Sequence, residues 1–270
     1  MPEISVLGDF VVAPDYDKDR ALLECIDEVR QEFVDRLASI DAISDRTMQL
    51  ICMFSMIDRL AQEWANYPTR DSKETFCRFV LEHQRAFDYL EQVEPVTLYY
   101  RVEDMIDESP LLPGFPPEKE ISLESIGYLD SRLVKNVLHY KKSEEIVEYI
   151  QQKKGESFAA QKAKEHRLIE LIYRMRSKAT HEMTRLGQEL NSKKPYQLAE
   201  PYYRDVSRLY VQEDKVVSDN ICELVIPNAF VRTLLTDCMD GYLAECLVQK
   251  REPFSNNLMT RKHLLSWYDK

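Results

Sequence analysis

Arg176 and His181 stand five residues apart in the string Arg176-Ser177-Lys178-Ala179-Thr180-His181-Glu182. An imidazole takes up and returns a proton near neutral pH, and a guanidinium stabilises the extra negative charge of a pentavalent phosphate. Metal-free RNA cleavage needs these two services and no protein nucleophile, because the RNA's own 2′-OH attacks. Ser177 precedes His181 by one helical turn, where a hydroxyl orients the ring and biases which nitrogen holds the proton. Arg176 and His181 are about 140° apart around a helix, so one helix does not converge them. Two copies facing each other across a dimer do.

The helix that must carry this string runs from Glu165 to Leu190. Leu168, Ile172, Met175, Ala179, Met183, Leu186 and Leu190 fall on one stripe at the spacing of a core-facing helix. Arg174, Ser177, Lys178, His181 and Arg185 lie on the far side, with Arg176 at the stripe's edge. One face anchors the helix, and a basic, histidine-bearing face is left for a ligand. Arg174, Lys178 and Arg185 are the candidates for backbone contacts to RNA. Of the other histidines, His83 and His139 read as packing residues, and His166 and His263 as surface residues.

Charge supports a local rather than a general nucleic-acid surface. The chain of 270 residues has a net charge of -11. From Lys153 to Lys194, 11 Lys/Arg stand against 5 Asp/Glu, a local +6 that leaves -17 elsewhere. Whole-surface binding to a polyanion is thereby excluded. A solvated charged face is the plainer account of such a cluster. No glycine-rich phosphate loop, HExxH or GxSxG pattern occurs. The six cysteines form no CxxC pair or zinc spacing and read as buried thiols of a reducing compartment. No metal and no cofactor is implied. The start lacks a secretory signal and no apolar run reaches the length of a membrane span, so a soluble cytoplasmic protein is expected.

With six glycines and abundant Leu, Glu, Lys, Arg, Met and Gln, the chain favours helix. Residues 3–13 read as extended. The apolar set Leu22, Leu23, Ile26, Val29, Phe33, Leu37 and Ile40 predicts a first helix. A second starts after Ser44-Asp45, with Leu50, Met53, Phe54, Ile57, Leu60, Ala61 and Trp64 inward and Asp58 embedded among them. Ser72 caps a third, with Phe76, Phe79, Val80, His83 and Phe87 along one side. Residues 94–120 hold five prolines and read as a long loop containing the breaker at 110–117, with VTLYYRVED a short strand or helix. Helical pattern resumes at Ser122, breaks at Lys153-Lys154-Gly155, and continues in the focal helix. A tyrosine-rich stretch follows, then ICELVIP as a short extended piece. Pro227-Asn228 opens a last helix with Phe230, Leu234, Leu235, Cys238, Tyr242 and Cys246 inward. The expectation is one all-α domain over 1–270, with core helices over about 20–90 and 122–192 and a C-terminal extension over about 193–270.

The string IYRMRSKATHE resembles the motif helix of the HEPN superfamily, an Arg, usually followed by a polar residue, with His after four to six positions. The helix ICMFSMIDRLAQ with its embedded acid, the helix KETFCRFVLEH, and the tail segments ELVIPNAF, PFSNN and SWYD are also similar to such proteins. The resemblance implies an up-and-down helical bundle with an additional C-terminal helix, dimerising through the motif helix. It implies a metal-independent endoribonuclease site shared by two subunits, as in toxins and anti-phage defence effectors that act with an antitoxin or defence partner. Arg176 would then stabilise the scissile phosphate and His181 serve as acid/base, with Glu182 and Asp58 in orienting roles. Ser177 stands where Asn or Asp is commonest. Inactive members bind a partner protein or RNA instead, which is the alternative reading.

Overall fold

Nine side chains of the helix Asn228–Val248 are buried: Phe230, Val231, Leu234, Leu235, Cys238, Met239, Tyr242, Leu243 and Cys246. They form two adjacent i, i+4 rows rather than one stripe, so this helix needs partners on more than one side. The computed structural model describes residues 6–7, 10–11, 16–65, 72–103, 137–182, 201–212 and 215–254. Of these, 6–7, 10–11, 16–18, 100, 102–103, 137–142, 181–182, 202–212 and 215–223 are described by backbone alone. In chain order the elements are β1 (Val6–Leu7), β2 (Phe10–Val11), α1 (Tyr16–Asp41), α2 (Arg46–Trp64), α3 (Ser72–His83) and α4 (Pro95–Glu103). Then follow α5 (Val137–Lys154), α6 (Glu156–Glu165), α7 (Leu168–Glu182), β3 (Tyr202–Gln212), β4 (Lys215–Val225) and α8 (Asn228–Val248).

The body is an all-α bundle, and α8 packs against α1, α2 and α3. Its residues belong to the same core cluster as those of α1 to α7, although the sequence places it in a C-terminal extension. Local chemistry starts the helices. The Asp45 carboxylate accepts from the N–H of Thr47 (2.8 Å) and Met48 (3.0 Å), satisfying donors at the head of α2. Buried Glu94 does the same for α4, accepting from Val96 (2.9 Å) and Thr97 (2.7 Å), with Pro95 at the first helical position. Gly155, at φ 91°, supplies the break between α5 and α6 in a conformation that L side chains resist.

Where α3 ends on α8, a buried polar cluster joins the helices. His83 is buried between Phe79 (centroids 4.5 Å apart, stacked) and Trp64 (5.5 Å, edge-on). Its Nδ1 faces the Phe79 carbonyl (2.9 Å) and its Nε2 the Glu245 carboxylate (2.7 Å), while the Trp64 indole donates to the same Glu245 oxygen (3.1 Å). Both ring nitrogens therefore have a hydrogen-bond partner. Gly241 of α8 lies against the His83 carbonyl so closely that a Cβ there would collide with it.

Several expectations need correction. Leu23 is 48% exposed, because the buried row of α1 runs through Leu22, Ile26, Phe33, Leu37 and Ile40. Ser72 is the first helical residue of α3 rather than a residue before it, and Phe87 packs inward from the turn that follows α3. The stretch read as a loop from residue 94 opens with helix α4; the prolines at 110–117 and the helical pattern from Ser122 to residue 136 lie outside the described residues. The extended segments are longer than the sequence implied: β3 and β4 pair antiparallel with Tyr202 opposite Val225 and Gln212 opposite Lys215. The hairpin meets the core where Leu224, Val225 and Ile226 are buried, and β4 contacts α4. Among the described residues, no helix is long and apolar enough to cross a membrane.

Gly241→Ala forces the α3 terminus and α8 apart, and the loss expected is about 2 kcal/mol, in the range of overpacked cores. Urea unfolding checks it; a midpoint equal to that of wild type would refute the close approach.

Candidate functional site

Helix α7 is set in place first by its own N-terminus. The N–H groups of Leu168 and Ile169, which have no intrahelical acceptor, donate to the carbonyls of Gln92 (3.0 Å) and Leu90 (2.9 Å). Glu94 N–H donates in return to the His166 carbonyl (2.8 Å), and Val93 and Arg167 form an isolated bridge. The turn before α4 therefore grips the turn before α7. Leu168, Ile172, Met175 and Ala179 are buried, as the stripe predicted, and Ile169 beside them is buried too; Met183, Leu186 and Leu190 lie outside the described residues.

The helix expected from Glu165 begins instead at Leu168, after a turn at His166. His166, expected at the surface, is 3% exposed. Its charged sequence neighbours mislead, because the turn swings its ring inward, where Nδ1 donates to the Lys162 carbonyl (2.8 Å) at the end of α6. Burial pushes its pKa below the ordinary value, and Arg174 adds to the effect. A hydrogen bond from Lys162 holds the neighbouring Glu165 carboxyl below the usual carboxylate range.

Beside the apolar stripe, a seam of polar contacts ties α7 to α2 and α3. Near its start, buried Glu170 meets Lys73 Nζ (2.5 Å) and Arg167 (3.3 Å). One turn on, the Tyr173 hydroxyl is hydrogen-bonded to that of Ser72 (3.0 Å), and the Tyr173 ring packs on Phe76 (centroids 5.4 Å). Arg176 follows: its Nε donates to Asp58 Oδ2 (2.6 Å), its Nη2 contacts the same oxygen, and its Cζ sits 5.4 Å from the centre of the Tyr173 ring. The side chains of Arg176 and Asp58 are 14% and 15% exposed.

Two residues chosen from sequence, Asp58 and Arg176, are thus in direct contact. The basic face is less open than the helical wheel suggested. Arg176 is turned onto Asp58, and Arg174 donates to the Glu165 carbonyl (2.6 Å), where a helix C-terminus attracts a cation. Ser177 and Lys178 are half-buried. His181 and Glu182 are the last two residues of α7, one turn and a fraction beyond Arg176; their side chains and Arg185 lie outside the described residues. Tyr173 and Glu170 were not singled out from sequence, and Ser72 was read only as a helix cap. The available signal was spacing, since Tyr173 precedes Arg176 by three residues on a helix. Among the described residues, no group of three or more His, Cys, Asp or Glu is arranged to hold a metal ion.

Chemically, this arrangement is a preoriented guanidinium. Two of its nitrogens are engaged by an acid from another helix, and Nη1 has no hydrogen-bond partner among the described residues. The chain matches no protein-family model, and neither curated proteins nor solved structures give a significant match.

Breaking a largely buried ion pair from one side leaves an uncompensated charge. Asp58→Ala or Arg176→Ala alone is expected to cost about 3 kcal/mol, and the double variant clearly less than the sum. Equal additivity in chemical denaturation would show that the pair carries no coupling. The pH dependence follows from His166, whose native form prefers to be neutral. The unfolded chain binds the proton more readily, so this contribution is present above the ordinary value of 6.5 and is lost as pH falls below it. Unfolding free energy is expected to drop more in wild type than in His166→Asn between pH about 7.5 and about 5.5, above the window in which Glu165 titrates. Parallel pH profiles for the two proteins would rule this out.

Proposed function

We propose that the protein is a metal-independent endoribonuclease of HEPN type, cleaving RNA by 2′-OH attack at a site shared by two copies of the chain. The observation that supports this is the fixed guanidinium of Arg176. A donor already oriented in a water-poor site stabilises a developing phosphate charge with little reorganisation. Asp58 holds the guanidinium without using all its N–H groups, because arginine carries five donors in a fork. In this reading His181 transfers the proton, Ser177 and Glu182 orient it, and Arg174, Lys178 and Arg185 line the RNA backbone. Proton transfer by one positioned histidine contributes about 10²–10⁴-fold. A cell that makes such an enzyme needs to restrain it, so a toxin or anti-phage effector with a neutralising partner protein is the context proposed.

The contact between Asp58 and Arg176 also favours a second reading. A guanidinium only 14% exposed and balanced by a carboxylate is what a structural ion pair looks like. On that reading the bundle is a catalytically inactive module that binds RNA or a partner protein.

The test is cleavage of an end-labelled mixed RNA in EDTA by wild type, His181→Ala and Arg176→Lys. The expected outcome is cutting by wild type alone, leaving 2′,3′-cyclic phosphate ends, with both variants reduced about 100-fold or more. Equal cutting by all three would remove His181 and Arg176 from the mechanism. RNA binding without cleavage by dimeric wild type would select the binding module.

A further inference from the structure

We infer that Tyr173 is a positioning residue for the Arg176 guanidinium. Asp58 engages Arg176 through a single atom, Oδ2, which meets both Nε and Nη2. One oxygen shared by two N–H groups fixes a point, and the guanidinium plane remains able to rock about it. The second constraint is the aromatic face beneath Cζ, 5.4 Å from the ring centre and within the range in which a cation is held by the ring quadrupole. That ring is itself fixed at both ends of its short axis of freedom. Its hydroxyl is hydrogen-bonded to Ser72 at the head of α3, and the ring packs at a tilt on Phe76 one turn further along the same helix. The orientation of Arg176 is therefore set by two helices at once: α2 through Asp58, and α3 through the packing of Phe76 against the Tyr173 ring.

A residue that only filled space between α3 and α7 would be replaceable by any side chain of similar volume. A positioning residue needs the flat ring. Tyr173→Phe keeps the ring and loses the Ser72 contact; Tyr173→Leu loses the ring and keeps apolar contact with Phe76. The inference predicts that the aromatic substitution is tolerated and the aliphatic one is not.

The experiment has a structural arm and a kinetic arm. In the first, the Arg176 Nε–H signal is followed by NMR in protein labelled with ¹⁵N-arginine and assigned with Arg176→Lys. Its exchange with water is expected to be as slow in Tyr173→Phe as in wild type, and at least about fivefold faster in Tyr173→Leu, reflecting the loss of a contact of about 1 kcal/mol. Unchanged exchange in folded Tyr173→Leu overturns the inference. Should that variant not fold, Tyr173→Met, which refills the volume without a ring, carries the same test. The kinetic arm rests on the ribonuclease reading. Tyr173→Leu lowers kcat for RNA about tenfold at nearly constant KM, as befits a contact that acts in the transition state, and Tyr173→Phe restores it. Wild type that fails to cut RNA while the NMR result holds would refute the ribonuclease reading and leave Tyr173 as the setter of Arg176.

Discussion

Burying both apolar rows of α8 is the constraint on which the architecture depends. A helix with one stripe is content at the surface of a bundle, whereas the pairs Phe230/Val231, Leu234/Leu235, Cys238/Met239 and Tyr242/Leu243 require cover from several directions. Helices α1, α2 and α3 supply it. Close cover brings polar atoms inward as well, and the cluster around His83 is the clearest case. The ring of His83 finds partners at both nitrogens, and the Trp64 indole reaches Glu245. Exposed ion pairs such as Arg232–Asp41 and Lys250–Asp19 decorate the α1–α8 contact and add little to it.

Helix α7 is held differently. Its apolar stripe seats it, but its orientation is decided by hydrogen bonds and charges: carbonyls of Leu90 and Gln92 at its start, then Glu170, Tyr173 and Arg176 in succession. Apolar packing tolerates small rotations, since nearly any contact with the core is favourable. Charged and hydrogen-bonded contacts are satisfied only over a narrow range of angle and distance. The polar seam therefore fixes the roll of α7 about its own axis, and with it the direction in which the remaining face of the helix looks.

What could be read in the sequence divides along the same line. Periodicity identified the buried rows of α2 and the stripe of α7, and Asp45 announced the start of α2, because each is a matter of a few consecutive residues. An acid within an apolar helix and an arginine at a stripe's edge were both visible, but their pairing joins residues 118 apart and follows from packing alone. His166 was misread because Lys164, Glu165 and Arg167 make its surroundings look solvated, while a turn between two helices reverses which residue points inward. The β3–β4 hairpin was read only in its last residues, where ICELV is apolar; the mixed charges of its remaining length hid strand pairing from a reading based on alternation.

The central place of α8 has a consequence for the chain during its synthesis. A ribosome delivers α1, α2 and α3 first, and their apolar faces have no α8 to close against until residue 248 has been made. More than 140 residues separate the end of α3 from the start of α8. Throughout that interval Phe54, Phe76, Phe79 and their neighbours lack their final cover, and the nascent chain is a half-built core with surface suited to chaperones. Closing it requires the arrival of α8, so the native core waits until residue 248 has left the ribosome.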